Sequence, residues 1–105
     1  EAQNNLGTMY HLGEGVEQNY TEAMRLYNLA YDQGNELAAS NIGLLYENGE
    51  GVKKDYKKAA EYYEQAVELG DSSSLENLAD LYEEGGFGLK KDIRKSKEYR
   101  ARYAD

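Results

Sequence analysis

The chain of 105 residues has no cysteine, no proline and no tryptophan, and it carries one phenylalanine and one histidine. Without cysteine it has no disulfide, no thiolate zinc site and no cysteine nucleophile, and it suits a redox compartment of any kind. Zinc wants several imidazoles, thiolates or carboxylates converging on it, and His11 has neither a cysteine nor a second histidine to share a metal. Basic charge is short as well: 12 Lys and Arg stand against 20 Asp and Glu, for a net charge of −8. That balance argues against nucleic acid, whose first footprint is basic, and mildly against anionic membranes. No apolar run approaches the roughly 20 residues that a spanning helix needs, and no signal peptide opens the chain. The sequence starts at Glu1 without an initiator methionine, near the start of a helix, and so reads as a piece cut from something longer. One domain is expected, burying roughly two thirds of the surface that the unfolded chain would expose.

What the chain does have is glycine and tyrosine, eleven of each, set at regular distances. Sliding the sequence against itself by 36 residues aligns Leu6-Gly7 with Ile42-Gly43 and Leu78-Ala79. It also aligns Tyr10 with Tyr46 and Tyr82, Gly13 with Gly49 and Gly85, Asn19-Tyr20 with Asp55-Tyr56, Ala23 with Ala59, Tyr27 with Tyr63 and Gly34 with Gly70. A fixed period of this size is the mark of a stacked repeat, with copies over about 1–34, 35–70 and 71–105.

The central copy shows the unit most clearly. Ala38, Ile42, Leu45 and Tyr46 fall at helical spacing, and the run ends near Asn48, where Gly49-Glu50-Gly51 supplies two residues free to take positive φ. Asp55 is placed to cap a second helix, whose stripe of Tyr56, Ala59, Tyr63 and Ala66 stops at Gly70. The flanking copies predict helices over 2–12 and 19–33, and over 72–84 and 92–104. The expectation is all-α: six helices forming three antiparallel hairpins. Gly43 with Ala59 or Ala66 lets helix backbones approach, while Tyr46 and Tyr63 fill the space beside them. A thin two-layer stack suits tyrosine, whose ring can be buried while its hydroxyl stays hydrated.

Several motifs have plain structural readings. The Gly-x-Gly loops at Gly13 and Gly49 lack the preceding strand and the following lysine-serine or lysine-threonine of a phosphate loop, and read as turns. The lysine pairs Lys53-Lys54 and Lys90-Lys91 lie in a segment, 53–105, with twelve acids and eleven bases, which makes mixed solvated surface rather than an anion patch. Asn19-Tyr20-Thr21 matches a glycosylation acceptor, but Asn19 stands where Asp55 and Asp92 cap helices, followed by Glu22 as in a capping box. No carboxylate stands at a catalytic spacing from a nucleophile or a histidine base, so an enzyme is not expected and no cofactor is implied.

The central string A38-x3-I42-G43-x2-Y46-x2-G49-x-G51-V52-x2-D55-x3-A59-x2-Y62-Y63-x2-A66-x3-G70 closely resembles the Sel-1-like repeat, a variant of the tetratricopeptide repeat with a longer loop inside the hairpin. The resemblance covers essentially the whole chain. It implies a right-handed α-α superhelix, a solenoid whose first helices line a concave surface, in adaptors that assemble other proteins. The third copy departs from the pattern. One residue is inserted around 85–89, Ser96 replaces an alanine, and Arg100 stands where the others have Tyr27 and Tyr63. A polar outer helix of this kind suits a terminal cap, with simple divergence as the alternative.

Asn5, Asn41 and Asn77 recur at 36-residue steps on the first helices, on the inner side of the array. An amide offers both donor and acceptor, so such a ladder can hold the main chain of a peptide whatever its sequence; in peptide-binding tetratricopeptide relatives an asparagine at the position of Asn41 does so. The basic residues of a carboxylate clamp are replaced by Asn4 and Ser73, which argues against one. The alternative is that these amides only tie adjacent helices together. The family register puts Thr8, His11, Leu12, Leu37, Ser40, Leu44, Glu47, Asn48, Glu76, Asp80, Glu83 and Glu84 on or near the same wall. The partner this implies is a protein or peptide with an apolar anchor near Leu44 and basic residues toward Glu83. A spacer or self-associating module with an idle groove is the competing expectation.

Overall fold

Residues 2–104 are described in the structure, a computed structural model. They form six helices: α1 (Ala2–Leu12), α2 (Tyr20–Asp32), α3 (Glu36–Asn48), α4 (Tyr56–Glu68), α5 (Ser74–Glu84) and α6 (Ile93–Ala104). Side-chain caps set most of their starts. Asn19, Asp55 and Asp92 each accept from the backbone N–H three residues on, at Glu22, Lys58 and Lys95, all at 3.0 Å. Each of the three also gives its own N–H to a tyrosine carbonyl of the helix before it: Tyr10, Tyr46 and Tyr82, at 2.9, 2.9 and 2.8 Å. One residue thus starts the second helix and ties it to the first. That second bond overturns the capping-box expectation at Glu22. The Asn19 N–H is already taken, and the Glu22 carboxylate instead pairs with Arg25, three residues along α2.

Asn35 caps α3 through the Ala38 N–H at 2.9 Å. Asp71 acts differently. It accepts from the Ser73 N–H and from the hydroxyls of Ser73 and Ser74, which makes a turn of its own and delays α5 to Ser74 rather than the expected 72. At the end of α3, Gly49 takes φ 68° and returns its N–H to the Leu45 carbonyl, a left-handed closure that a side chain would strain.

Contacts run between consecutive helices, from α1 to α6, as in an α-solenoid, and the array measures 41 × 27 × 21 Å. One core cluster joins Ala23 and Tyr27 of α2 to Ile42 and Leu45 of α3. The other joins Tyr56, Ala59, Ala60 and Tyr63 of α4 to Leu75, Leu78, Ala79 and Leu81 of α5 and Tyr99 of α6. Leu6 and Met9 occupy in the first copy the places of Ile42 and Leu45, yet each is 39% exposed, because among the described residues no earlier second helix packs on α1.

The glycines on the first helices serve the tyrosine rings more than the backbones. A Cβ on Gly43 would lie 2.8 Å from the Tyr63 ring, and one on Gly7 would lie 2.8 Å from the Tyr27 ring. Both rings are fully buried. Their hydroxyls are not hydrated as expected but are satisfied by side chains: Tyr63 donates to Glu47 at 2.7 Å, and Tyr27 bonds Thr8 and His11, each at 3.2 Å. Burial pushes both phenols up, and at Tyr63 the neighbouring Glu47 carboxylate adds to the shift. In the third copy Arg100 replaces the tyrosine, and Ala79 then fits where the others need glycine.

Candidate protein-binding groove

The first-helix wall is made by α1, α3 and α5. Along α3 the residues Leu37, Asn41, Leu44 and Asn48 follow one another at three- and four-residue steps and so share a face. Leu37 is 50% and Leu44 36% exposed, while Ile42 and Leu45 beside them are fully covered. Two leucines thus lie open on an otherwise polar stripe of α3.

Much of the rest of the wall is engaged within the chain. The equivalent residues His11, Glu47 and Glu83 each bond the equivalent residue of the following helix: His11 to Tyr27, Glu47 to Tyr63 and Glu83 to Arg100 at 2.8 Å. Arg100 also reaches Asp80 at 2.8 Å, and Glu84 accepts from the Tyr56 hydroxyl at 3.2 Å. Of the four acids read onto that end, only exposed Glu76 has no such side-chain partner among the described residues. The Arg100 pairs are exposed and therefore weak, so a partner's cation can compete for Asp80 and Glu83.

The asparagine ladder has one rung, and it starts one residue from where the period places it. Asn41 donates to Asn4 at 2.9 Å, not to Asn5, which is exposed. Asn4 is the residue turned into the protein, 4% exposed, and Thr8 donates to its carbonyl at 3.1 Å. The equivalent rung between Ser40 and Asn77 is missing among the described residues, since the Ser40 hydroxyl turns to the Leu37 carbonyl and Asn77 is half-buried. Asn41→Ala would leave the Oδ1 of buried Asn4 without its donor, at a cost of about 1–3 kcal/mol. Leu44 is therefore the cleaner residue with which to test binding.

A second junction, which sequence reasoning missed, lies in the hairpin loops. Glu50 bonds His11 Nε2 at 3.1 Å and Asn48 at 3.2 Å, so the second loop is fastened to the first hairpin. Burial raises the Glu50 carboxyl, but the hydrogen bonds from Asn48, His11 and Tyr20 outweigh it and hold it below its ordinary value of 4.5. A carboxyl depressed on folding stabilises the fold above its unfolded pKa, and that share is lost as pH falls through the lower, folded value. Glu50→Gln is accordingly expected to lower stability at neutral pH and to flatten its decline below about pH 4.5, which an acid titration followed by circular dichroism would show. In the third loop Phe87 replaces Glu50. Its carbonyl accepts from the Tyr56 N–H at 2.9 Å, and its ring meets Tyr56 edge-on at 4.9 Å with Lys54 Nζ 4.6 Å from its centroid. The extra residue of this loop, with Phe87 at φ 48°, makes that contact.

The other unforeseen cluster lies between the first and second helices of a hairpin. Tyr46 stacks on Tyr62 at 5.8 Å with Lys58 Nζ over Tyr46, and one repeat later Tyr82 stacks on Tyr99 at 5.8 Å with Lys95 Nζ over Tyr82. The signal was present as a recurring Tyr, Lys and Tyr, offset by one from the insertion, but each residue alone read as surface or core.

Comparison with known proteins gives a consistent result. No curated protein sequence matches the chain significantly. A Sel1 repeat protein from Oxalobacter formigenes superposes with a TM-score of 0.89 and 37% identity, over 98% of this chain and 42% of that one. The protective antigen c5321 of uropathogenic Escherichia coli, which displays an SLR fold, gives 0.89 and 33% over 97% of this chain and 22% of that one. The Helicobacter pylori cysteine rich protein B gives 0.71 and 26%, over 99% and 82% respectively. This chain holds the same fold without a single cysteine. It spans less than half of the first of these relatives and less than a quarter of the second. The Sel1 repeat itself, a unit generally used for protein–protein interaction, matches three times, at residues 1–35, 37–71 and 72–99. With those matches covering nearly the whole chain, it belongs to the Sel1 repeat family.

Proposed function

We propose that this chain is a non-catalytic protein-binding segment of a larger adaptor, and that its first-helix wall receives an extended peptide. The observation that carries the reading is the stripe Leu37, Asn41, Leu44, Asn48, in which open leucines alternate with amides. The leucines take an apolar anchor, the exposed Asn48 amide, which gives one N–H to Glu50, offers its remaining groups to the peptide main chain, and Glu76, Asp80 and Glu83 favour basic residues further along. Asn5, Thr8, Asn77 and Glu84 flank this path; Asn41 and Glu47 chiefly hold the wall in shape, through Asn4 and Tyr63. A selection of displayed peptides on the immobilised chain tests this. Sequences with one apolar anchor and nearby Lys or Arg should emerge and should bind Leu44→Asp at least about tenfold more weakly, since losing a buried apolar anchor is worth on the order of 1.5–3 kcal/mol. Binding that ignores both Leu44→Asp and Glu83→Lys would sink the groove.

A spacer or self-associating module is the second reading, supported by the half-exposed Leu6 and Met9 on α1. It predicts concentration-dependent sedimentation that Met9→Glu abolishes, with no peptide selected.

A further inference from the structure

Between α2 and α4 lies a cavity of about 390 Å³, lined by Tyr31, Tyr46, Lys58, Glu61, Tyr62, Glu64 and Gln65. None of the groove residues lines it. Its aromatic floor is the stacked pair Tyr46–Tyr62, which Tyr31 meets edge-on at 5.6 Å.

The same place in the next hairpin shows what such a floor accommodates. There the stacked pair is Tyr82–Tyr99, and two cations lie on it: Lys95 over Tyr82 at 4.8 Å and Arg102 over Tyr99 at 5.7 Å. In the second hairpin Lys58 lies over Tyr46 at 5.4 Å, matching Lys95, but the residue at the place of Arg102 is the neutral, exposed Gln65. Beside the third-repeat pair, Val67 of α4 stands where Tyr31 of α2 stands here, so this site has one aromatic wall more.

The charge around the cavity agrees. Two acids, Glu61 and Glu64, line it against the single cation Lys58. Glu64 also accepts from the Tyr99 hydroxyl at 2.9 Å, which leaves exposed Glu61 as the freer acid of the two. A planar guanidinium can lie on the Tyr62 ring and give its edge N–H groups to a carboxylate at once, whereas an ammonium offers only a compact charge.

We propose that the Tyr31–Tyr46–Tyr62 cavity is a receptor site for an arginine side chain of a partner protein, doing in trans what Arg102 does in cis one repeat later. It lies apart from the first-helix wall, so it stands or falls independently of the groove.

The test uses the isotope-labelled 105-residue chain and three probes: N-acetyl-arginine amide, N-acetyl-lysine amide and the uncharged N-acetyl-citrulline amide. With the arginine probe, saturable amide shifts are expected at Tyr31, Tyr46 and residues 61–65, weaker ones with lysine, and none with citrulline. Gln65→Arg supplies the guanidinium internally and should weaken arginine binding about tenfold while leaving the fold intact, the scale set by a desolvated cation–π contact. Glu61→Gln, at an exposed position, should weaken it severalfold. Shifts that do not saturate, equal binding of citrulline or lysine, or undiminished binding by Gln65→Arg would each overturn the proposal.

Discussion

Tyr63→Ala is expected to lower the stability of the chain by about 3–5 kcal/mol, the usual cost of removing a buried aromatic ring. Tyr63 is fully buried at the centre of the array, between α3 and the rest of the larger core, and its ring lies directly on Gly43. The substitution opens a cavity that neither helix can close, because Asp55 fastens α4 to α3 through the Tyr46 carbonyl and Ala59 keeps the backbones at their present distance. Tyr63→Phe separates the ring from the hydroxyl. It loses only the bond to Glu47, whose carboxylate is half-buried and can turn to water, and should cost about 1 kcal/mol. Arg100→Ala, at the equivalent place in the third repeat, removes no buried ring and should change stability little. Urea denaturation of the three variants measures the series. A loss below about 1 kcal/mol for Tyr63→Ala would mean that the ring does not hold the repeats together.

Gly43→Ala should destabilise by about 2 kcal/mol, although alanine is the better helix former by nearly 1 kcal/mol. The added methyl would lie 2.8 and 2.9 Å from two atoms of the Tyr63 ring and 3.2 Å from the Ala59 carbonyl oxygen. The ring cannot retreat while its hydroxyl is held by Glu47, and the carbonyl belongs to the α4 backbone. The third repeat supplies the control within the same molecule. Ala79 already carries that methyl and is fully buried without conflict, because Arg100 leaves the ring out. Combining Gly43→Ala with Tyr63→Leu should therefore cost less than the sum of the two single changes, a coupling that a double-mutant cycle reads directly. Strict additivity would contradict the packing account.

The elements that depend on one residue's chemistry were legible in the sequence. The caps at Asn19, Asp55 and Asp92 and the glycine stop at Gly49 follow from short polar side chains and positive φ, which act within a few residues of chain. The wall was legible only in outline. A one-residue step turns a side chain about 100° around a helix, so the recurring Asn5 pointed outward while its neighbour Asn4 took the buried bond to Asn41. Glu47, Glu83 and Glu84 looked like free acids because their partners Tyr63, Arg100 and Tyr56 sit far along the chain and meet them only through helix packing. The capping box at Glu22 failed for the same reason: the Asn19 N–H had a tertiary acceptor that local pattern cannot show.

The measurement that bears most directly on the protein-binding account is an isotope-edited NMR map of where a selected peptide lies on the chain. The account predicts contacts from the peptide's apolar anchor to Leu37 and Leu44, continuing across Asn48 toward Glu76, Asp80 and Glu83. Contacts confined to the outer sides of α2, α4 and α6, or to Leu6 and Met9, would contradict it.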